Sequence, residues 1–222
     1  MYSLVRLVPP SHPDRRSVVA AFDVDGTLTT RDCVTPFLRR AAGTKLALTV
    51  ARHPLSVGAA LARRDRDDLK ELAARALHGI PAAELDRLGE AFAGEIEARL
   101  LRTDTVARLR RHRELGDGVL LASASFEAYL VPLARRLGAD AVICTRLEVG
   151  ADGRLTGRLD GRNCRGEEKA RRVREWLDRE RLGEAELWAY GDSAADAPFL
   201  ALADHPVWVQ GVAIEPDLPA RS

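Results

Sequence analysis

Hydrophobic and polar positions follow two different periods along the chain. At 17–22, SVVAAF, small and β-branched apolar residues run without interruption, which is typical of a strand buried on both faces. From Cys33 to Leu101 the spacing is helical throughout, with breaks at Pro54 and at 79–81. The pattern predicts one buried strand followed by a wholly helical block.

After Leu101 helical and strand patterns alternate. Thr103 is the expected N-cap of the first helix, and a hairpin is expected around Asp152-Gly153. Strand patterns occupy 118–123, 140–149, 185–193 and 205–211. This alternation predicts an α/β fold, a doubly wound, Rossmann-like parallel sheet with an inserted helical cap domain. The expected divisions are a loose leader at 1–16, a core at 17–31 and 102–222, and a cap at 32–101.

Composition narrows the class of protein. The chain has 222 residues, of which 46% are hydrophobic and 30% charged, as in a soluble globular protein. A net charge of +1 favours neither nucleic acid nor stable membrane insertion. The three cysteines have no CxxC spacing, which predicts free thiols and a cytoplasmic location. The N-terminal residues lack the apolar stretch of a signal peptide or membrane anchor.

Polar residues stand where three predicted strands end. Asp23 and Asp25 follow the first strand, Ser123 ends the second and Asp192 ends a later one. Residues i and i+2 of an extended segment project to the same side, so both aspartates face one point. Because the carboxyl ends of parallel strands form the active-site edge of such sheets, we expect these side chains to converge.

Converging carboxylates need a cation, and a ligand set of oxygens without sulfur favours Mg²⁺. Asp196 would join Asp23 and Asp192 there, and Lys169 and Ser123 would hold an anionic group. The set predicts phosphoryl transfer, with Asp23 attacking phosphorus and Asp25 moving the proton. Lys169 and Mg²⁺ would neutralise the phosphate oxygens.

Four segments, in this order, resemble the motifs of the haloacid dehalogenase superfamily of phosphatases: DVDGT at 23–27, Ser123 after VLLA, Lys169, and GDSAAD at 191–196. The helical block and the hairpin resemble its phosphoserine-phosphatase-like branch, subfamily IB. The resemblance implies that Asp23 is the nucleophile and Asp25 the acid and base. It also implies that the phosphate is bound by Ser123, Ala124, Lys169 and Thr27. The implied metal ligands are Asp23, Asp192 and the backbone carbonyl of Asp25. Asp196 and Ser193 would support these ligands without binding the metal directly.

The chain departs from phosphoserine phosphatases at substrate-facing positions. Ser123-Ala124-Ser125 stands where they have Ser-Gly-Gly, Ala195 stands in place of an asparagine, and Asp32 in place of a cap glutamate. Ser125 is expected only to satisfy backbone groups. The expected substrate contacts are Asp32, Arg64 and Lys70, with Arg31, Arg63 and Arg66 as further choices.

Three functions stay open from the sequence. The first is a Mg²⁺-dependent phosphomonoesterase acting on a small phosphorylated metabolite, as a monomer or homodimer. The second is a lipid-phosphate phosphatase of the phosphatidylglycerophosphatase type, suggested by the apolar segment 44–62, although that segment is expected to be a buried seam. The third is a non-catalytic binding protein of the same family. His112 and the arginine-rich stretch 108–113 are expected on the surface.

Overall fold

The structure, a computed structural model, describes residues 5–6, 18–63, 66–209, 211, 213–215 and 218. The strands are β1 (Val5–Arg6), β2 (Val18–Phe22), β3 (Gly118–Phe126), β4 (Ala141–Thr145), β5 (Leu147–Val149), β6 (Leu155–Leu159), β7 (Glu186–Gly191) and β8 (His205–Trp208). The α-helices are α1 (Val34–Ala42), α2 (Thr44–Arg52), α3 (Pro54–Arg63), α4 (Arg66–Arg75), α5 (Ala82–Arg99), α6 (Thr103–Glu114), α7 (Glu127–Leu137), α8 (Glu167–Arg179) and α9 (Ala197–Leu200).

The sheet has the order β1-β4-β3-β2-β7-β8. The five strands from β4 to β8 in that order run parallel, and β1 pairs antiparallel with β4 at one edge. From β2 the chain first winds outward through β3 and β4 and then returns to β7 and β8. The predicted doubly wound parallel sheet is therefore confirmed, and its topological switch point lies between β2 and β7.

Apolar side chains of β2 point alternately to the two faces of the sheet, and both faces are covered. Ala20 and Phe22 pack on the side that carries α6 and α7. Val19 and Ala21 pack on the other side, with α8 and α9. Burial on both faces explains why this strand reads as a continuous apolar run rather than an alternating one.

Helices α1 to α5 are inserted between β2 and β3. Their contact with the core is made by aromatic side chains: the Phe37 ring lies 4.8 Å from that of Tyr129, and the Phe92 ring 5.4 Å from it, centroid to centroid. Arg136 of α7 adds ion pairs to Glu90 and Glu97 of α5. The inserted helices are therefore anchored along α7, the helix that directly follows β3.

The approach of α5 to α7 requires a glycine. A Cβ atom at Gly89 would lie 2.0 Å from the backbone carbonyl oxygen of Ala128. We expect Gly89→Ala to destabilise the protein by about 1–3 kcal/mol, because the two helices must move apart. Urea unfolding followed by circular dichroism measures this change.

Gly94→Ala is the matched control on the same helix. A Cβ there meets nothing closer than 3.9 Å, so the helix propensity of alanine is expected to stabilise the protein by up to about 1 kcal/mol. Equal effects of the two substitutions would contradict the proposed close contact.

Three expectations for α6 and its start are corrected. Thr103 is the first helical residue rather than the N-cap, since Arg102 holds the extended position before it. His112 and Arg108 are buried rather than exposed. His112 lies 2.7 Å from Asp117 (Nδ1 to Oδ2) and 2.8 Å from the hydroxyl of Tyr190. Hydrogen-bond partners on the sheet and in the loop after α6 satisfy these side chains, so they can be buried although they are polar.

Two further expectations change. Within the predicted leader, Val5–Arg6 extends the sheet along β4, and the rest of 1–16 lies outside the described residues. Among the residues of the apolar segment 44–62 whose burial the structure describes, Ala60 alone is buried, so they do not form the expected buried seam. Helix α2 buries none of its residues, and Leu55 at the start of α3 is 88% exposed. Only one side of α2 packs inward, through the partly buried Leu46.

Candidate active site

The end of β2 forms a tight turn that presents two carboxylates. The carbonyl of Val24 accepts backbone hydrogen bonds from Leu28 and Thr29, each at 2.9 Å, so the chain curls around it. Gly26 has φ +88°, and a Cβ there would lie 2.3 Å from a carboxylate oxygen of Asp192. Glycine therefore allows both the backbone conformation of this turn and its contact with the end of β7.

A buried lysine, ion-paired with two aspartates, lies at the centre of the candidate site. The ammonium of Lys169, in the first turn of α8, donates hydrogen bonds of 2.6 Å to Asp23 and of 2.6 Å to Asp196. Burial raises the pKa of Asp23 to about 7, against the opposing charge of Lys169. Burial alone would lower the pKa of Lys169, but the two carboxylates outweigh it and raise that pKa above its usual range. Lys169 thus stays cationic beside Asp23.

Asp25 occupies a separate environment two residues on. Its carboxylate accepts hydrogen bonds from the backbone N–H of Cys33 and from the hydroxyl of Ser125, each 2.9 Å long. Burial raises the pKa of Asp25 above its ordinary value, against these two hydrogen bonds. The carboxyl is held in place and favours retention of a proton, which suits proton transfer.

Three acids could hold a metal ion. Oxygen atoms of Asp23, Asp192 and Asp196 all lie within 4.8 Å of one another. The hydroxyl of Thr27 donates to Asp192 at 3.1 Å, and the hydroxyl of Ser193 donates to Asp196 at 2.7 Å. A donor set made only of carboxylate oxygens fits a hard cation such as Mg²⁺. Asp196, which the resemblance placed behind the ligands, is a member of this cluster.

Ser123 and Ser125 lie among the last residues of β3, and the role of Ser125 differs from the expected one. The hydroxyl oxygen of Ser123 accepts a hydrogen bond of 3.2 Å from the backbone N–H of Ser125. The expectation that Ser125 only satisfies backbone groups is wrong, because its hydroxyl donates to Asp25. A sequence signal was available: in an extended strand Ser123 and Ser125 lie on the same side, so Ser125 was equally placed to reach the site.

Helix α4 closes over this segment. The buried ammonium of Lys70 donates to the carbonyl of Ala124 and lies 4.4 Å from the centre of the Phe126 ring. Burial lowers the pKa of Lys70 to about 8, although the nearby Asp25 opposes the shift. Three residues earlier, Asp67 accepts a hydrogen bond of 2.6 Å from the amide of Asn163. Two polar contacts from one face of α4 thus join the inserted helices to the core.

The other expected substrate residues are exposed or lie outside the described residues. Asp32 is exposed and accepts hydrogen bonds from the backbone N–H groups of Val34 and Thr35, at 3.0 and 3.2 Å, at the start of α1. Arg63 is exposed and pairs with Asp68 at 2.8 Å. Arg31 and Arg66 are exposed, and Arg64 lies outside the described residues.

Comparison with known proteins now decides the family. A profile of the haloacid dehalogenase-like hydrolases matches residues 20–201 of the chain. The chain belongs to the haloacid dehalogenase-like hydrolase family. The resemblance drawn from its four motifs is confirmed, and with it the enzyme class, a hydrolase of the phosphatase type. The alternative of a non-catalytic protein is not retained.

Relatives of this haloacid dehalogenase-like hydrolase include proteins named for phosphatase activity. It is 40% identical to the protein CicA of Caulobacter vibrioides over 84% of its own length and 83% of that relative. It is 36% identical to the phosphoserine phosphatase SerB1 of Mycobacterium tuberculosis over 66% of its own length but 46% of that protein. A Bordetella pertussis protein of unknown function has a similar structure, with TM-score 0.69, 27% identity and coverage of 84% and 87% of the two chains.

Among the described helices of this hydrolase, none combines the length and the apolar composition needed to cross a membrane.

Proposed function

We propose that the protein is a Mg²⁺-dependent phosphomonoesterase that hydrolyses a small phosphorylated metabolite through an aspartyl-phosphate on Asp23. The observation that carries the proposal is that the two carboxylates of one turn have different partners. Asp23 is paired with the Lys169 ammonium at 2.6 Å, whereas Asp25 accepts hydrogen bonds from two neutral donors, the N–H of Cys33 and the hydroxyl of Ser125. Burial raises the pKa of both carboxyls, but only Asp23 has a cation beside it to favour its ionised form. One is suited to attack and the other to carry a proton.

In the first step a carboxylate oxygen of Asp23 attacks phosphorus, and the bond from phosphorus to the ester oxygen breaks. Asp25 gives its proton to the departing alkoxide, which leaves as the alcohol. In the second step water attacks the phosphorus of the aspartyl-phosphate while Asp25 takes a proton from it. Inorganic phosphate leaves, and the carboxylate of Asp23 is regenerated.

The residues around Asp23 would hold the phosphoryl group during both steps. Lys169 supplies the positive charge. Ser123 and Ala124 near the end of β3, and Thr27 in the turn after β2, are proposed as phosphate-binding residues. Ser123 and Thr27 are buried beside the ends of β3 and β2. Because these groups are fixed before substrate arrives, they can stabilise charge that develops on the phosphate oxygens.

Asp23, Asp192 and the backbone carbonyl of Asp25 are proposed to hold Mg²⁺, with Asp196 and Ser193 supporting them. The ion when bound would act as a Lewis acid that polarises the phosphate. The oxygen-only cluster of acids is what supports this assignment. The positive charge of the ion would also lower the pKa of Asp23, which stands at about 7 mainly through burial, so the carboxylate would ionise more fully.

Specificity is proposed to lie in the inserted helices, with the cap at 32–101 and the core at 17–31 and 102–222. Lys70 is the cap residue whose buried position favours a role near the leaving group, since its ammonium contacts Ala124, one of the proposed phosphate-binding residues. Asp32 and Arg64 stay proposed contacts. SerB1, a relative, is named a phosphoserine phosphatase, which supports a phosphorylated amino acid or similar alcohol phosphate as substrate.

Removal of divalent cations is expected to abolish phosphate release from p-nitrophenyl phosphate, and added Mg²⁺ is expected to restore it. The reason is that an ion held by Asp23, Asp192 and Asp196 would polarise the phosphate, and Lys169 alone does not supply that second positive charge. The measurement is the steady-state rate after EDTA treatment and during a Mg²⁺ titration, with a thermal melt to show that the fold persists. A rate that EDTA leaves unchanged would contradict the proposed metal dependence.

A screen of phosphate esters tests the substrate class with the same assay. It includes phosphoserine, histidinol phosphate, sugar phosphates and phosphatidylglycerophosphate in vesicles. The lipid belongs in the panel because Leu48 and Leu55 are exposed on the cap, which favours a lipid-phosphate phosphatase as a second candidate. Turnover of soluble esters without turnover of the lipid supports the first proposal, and the reverse result supports the second.

A further inference from the structure

Exposed apolar side chains are concentrated on the outer helices of the cap. Six large hydrophobic residues are exposed in the described part of the chain, and three of them fall between positions 48 and 55. Leu48 is 51%, Val50 43% and Leu55 88% exposed. We call helices α2 and α3 together the α2–α3 surface. Val50 is two positions from Leu48 on α2 and faces another side of that helix, so Leu48 and Leu55 are the residues that indicate a contact surface.

The same helices carry only positive charge. Between Asp32 and Asp65 the sequence contains no acidic residue. Lys45 and Arg52 are exposed and form no ion pair with any described residue. The protein as a whole is nearly neutral, at +1, so this is a local feature. The α2–α3 surface is therefore both apolar and basic.

Charged and apolar positions are arranged as one stripe on α2. Lys45, Leu48 and Arg52 are spaced i, i+3 and i+7, which places them on one side of the helix. A leucine thus stands between two long cationic side chains. At a membrane interface this order lets the leucine enter the apolar layer while the cations extend to the headgroups.

We propose that the α2–α3 surface docks the protein peripherally on an anionic lipid bilayer. A second copy of the chain is a poor occupant, because a twofold contact would bring the unpaired cations of both copies together. In an anionic bilayer the headgroups neutralise these cations, and the apolar layer beneath them takes up the leucines. Helices of nine and ten residues are too short to span a bilayer, so the contact is confined to its surface.

The test is sedimentation of the full chain with vesicles of phosphatidylcholine alone or mixed with phosphatidylglycerol. We expect binding to the anionic vesicles, about tenfold or more above binding to neutral ones, with weakening at high salt. The paired substitutions Leu48→Ser with Leu55→Ser, and Lys45→Glu with Arg52→Glu, are each expected to abolish binding. Hydrolysis of a soluble aryl phosphate is expected to stay unchanged in both, which reports on folding.

Matched controls lie on α6 and the residue after it. Leu115→Ser replaces an exposed leucine and Arg110→Glu an exposed arginine away from the α2–α3 surface, and both are expected to bind vesicles as the unaltered protein does. Equal binding to neutral and anionic vesicles, or equal losses in the controls, would overturn the proposal. A dimer in light scattering that disappears in the leucine variant, without lipid binding, would assign the surface to a second copy and overturn it too.

Discussion

Asp23→Asn is expected to lower kcat for p-nitrophenyl phosphate by more than about 10⁴-fold, as removal of a nucleophile does in other hydrolases. The amide cannot form the acyl-phosphate bond, and it removes one of the two carboxylates that pair with Lys169 at 2.6 Å. Lys169 keeps Asp196 as a partner, so the fold should survive. The measurement is steady-state phosphate release at saturating Mg²⁺, with circular dichroism on the same sample.

Asp86→Asn provides the matched control for this loss. Asp86 is an exposed aspartate on α5, so the same chemical change there should leave kcat within about twofold. A near-normal rate for Asp23→Asn would show that another group attacks phosphorus.

Asp25→Asn is expected to lower the steady-state rate by roughly 10²–10⁴-fold, the usual contribution of general acid–base catalysis. An alkyl phosphate should lose more than an aryl phosphate, because a poor leaving group depends more on protonation. The second step also needs Asp25, so the phosphorylated enzyme should accumulate with the aryl substrate. Rapid-quench measurement of a burst of p-nitrophenol, equal to the enzyme concentration, checks this.

Ser125→Ala separates placement of Asp25 from its proton transfer. The substitution removes one 2.9 Å hydrogen bond to the carboxyl but leaves the bond from Cys33. The steady-state rate of Ser125→Ala should therefore fall much less than that of Asp25→Asn. The fall should still be greater for the alkyl ester than for the aryl ester. Equal losses for the two esters in Asp25→Asn would contradict a role for Asp25 in leaving-group protonation.

The positions of the main site residues could be predicted because they depend on strand order and local spacing. Asp23, Asp25 and Asp192 follow strands that neighbour each other in the sheet, and such strand ends are marked by apolar runs that stop at polar residues. The turn at Gly26 and the position of Lys169 early in α8 follow from the same local signals.

Contacts between distant segments were not predictable in this way. His112 looks like a surface residue in its own helix, and its burial follows from Tyr190 and Asp117, which come later in the chain. Lys70 reaches Ala124 only because α4 lies against the carboxyl end of β3. The prediction for the outer helices of the cap was wrong for the opposite reason. Their apolar residues suggested a buried seam, but among the described residues no second layer covers Leu48 or Leu55.

The most direct test of the account is to find the phosphoryl group on the enzyme. The Asp25→Asn protein is mixed with p-nitrophenyl phosphate and Mg²⁺, quenched in acid, digested and analysed by mass spectrometry. The account predicts that the peptide containing Asp23 gains the mass of one phosphoryl group and that the Asp23→Asn protein gains none. A phosphoryl group on another residue, or release of p-nitrophenol without any phosphorylated peptide, would contradict it.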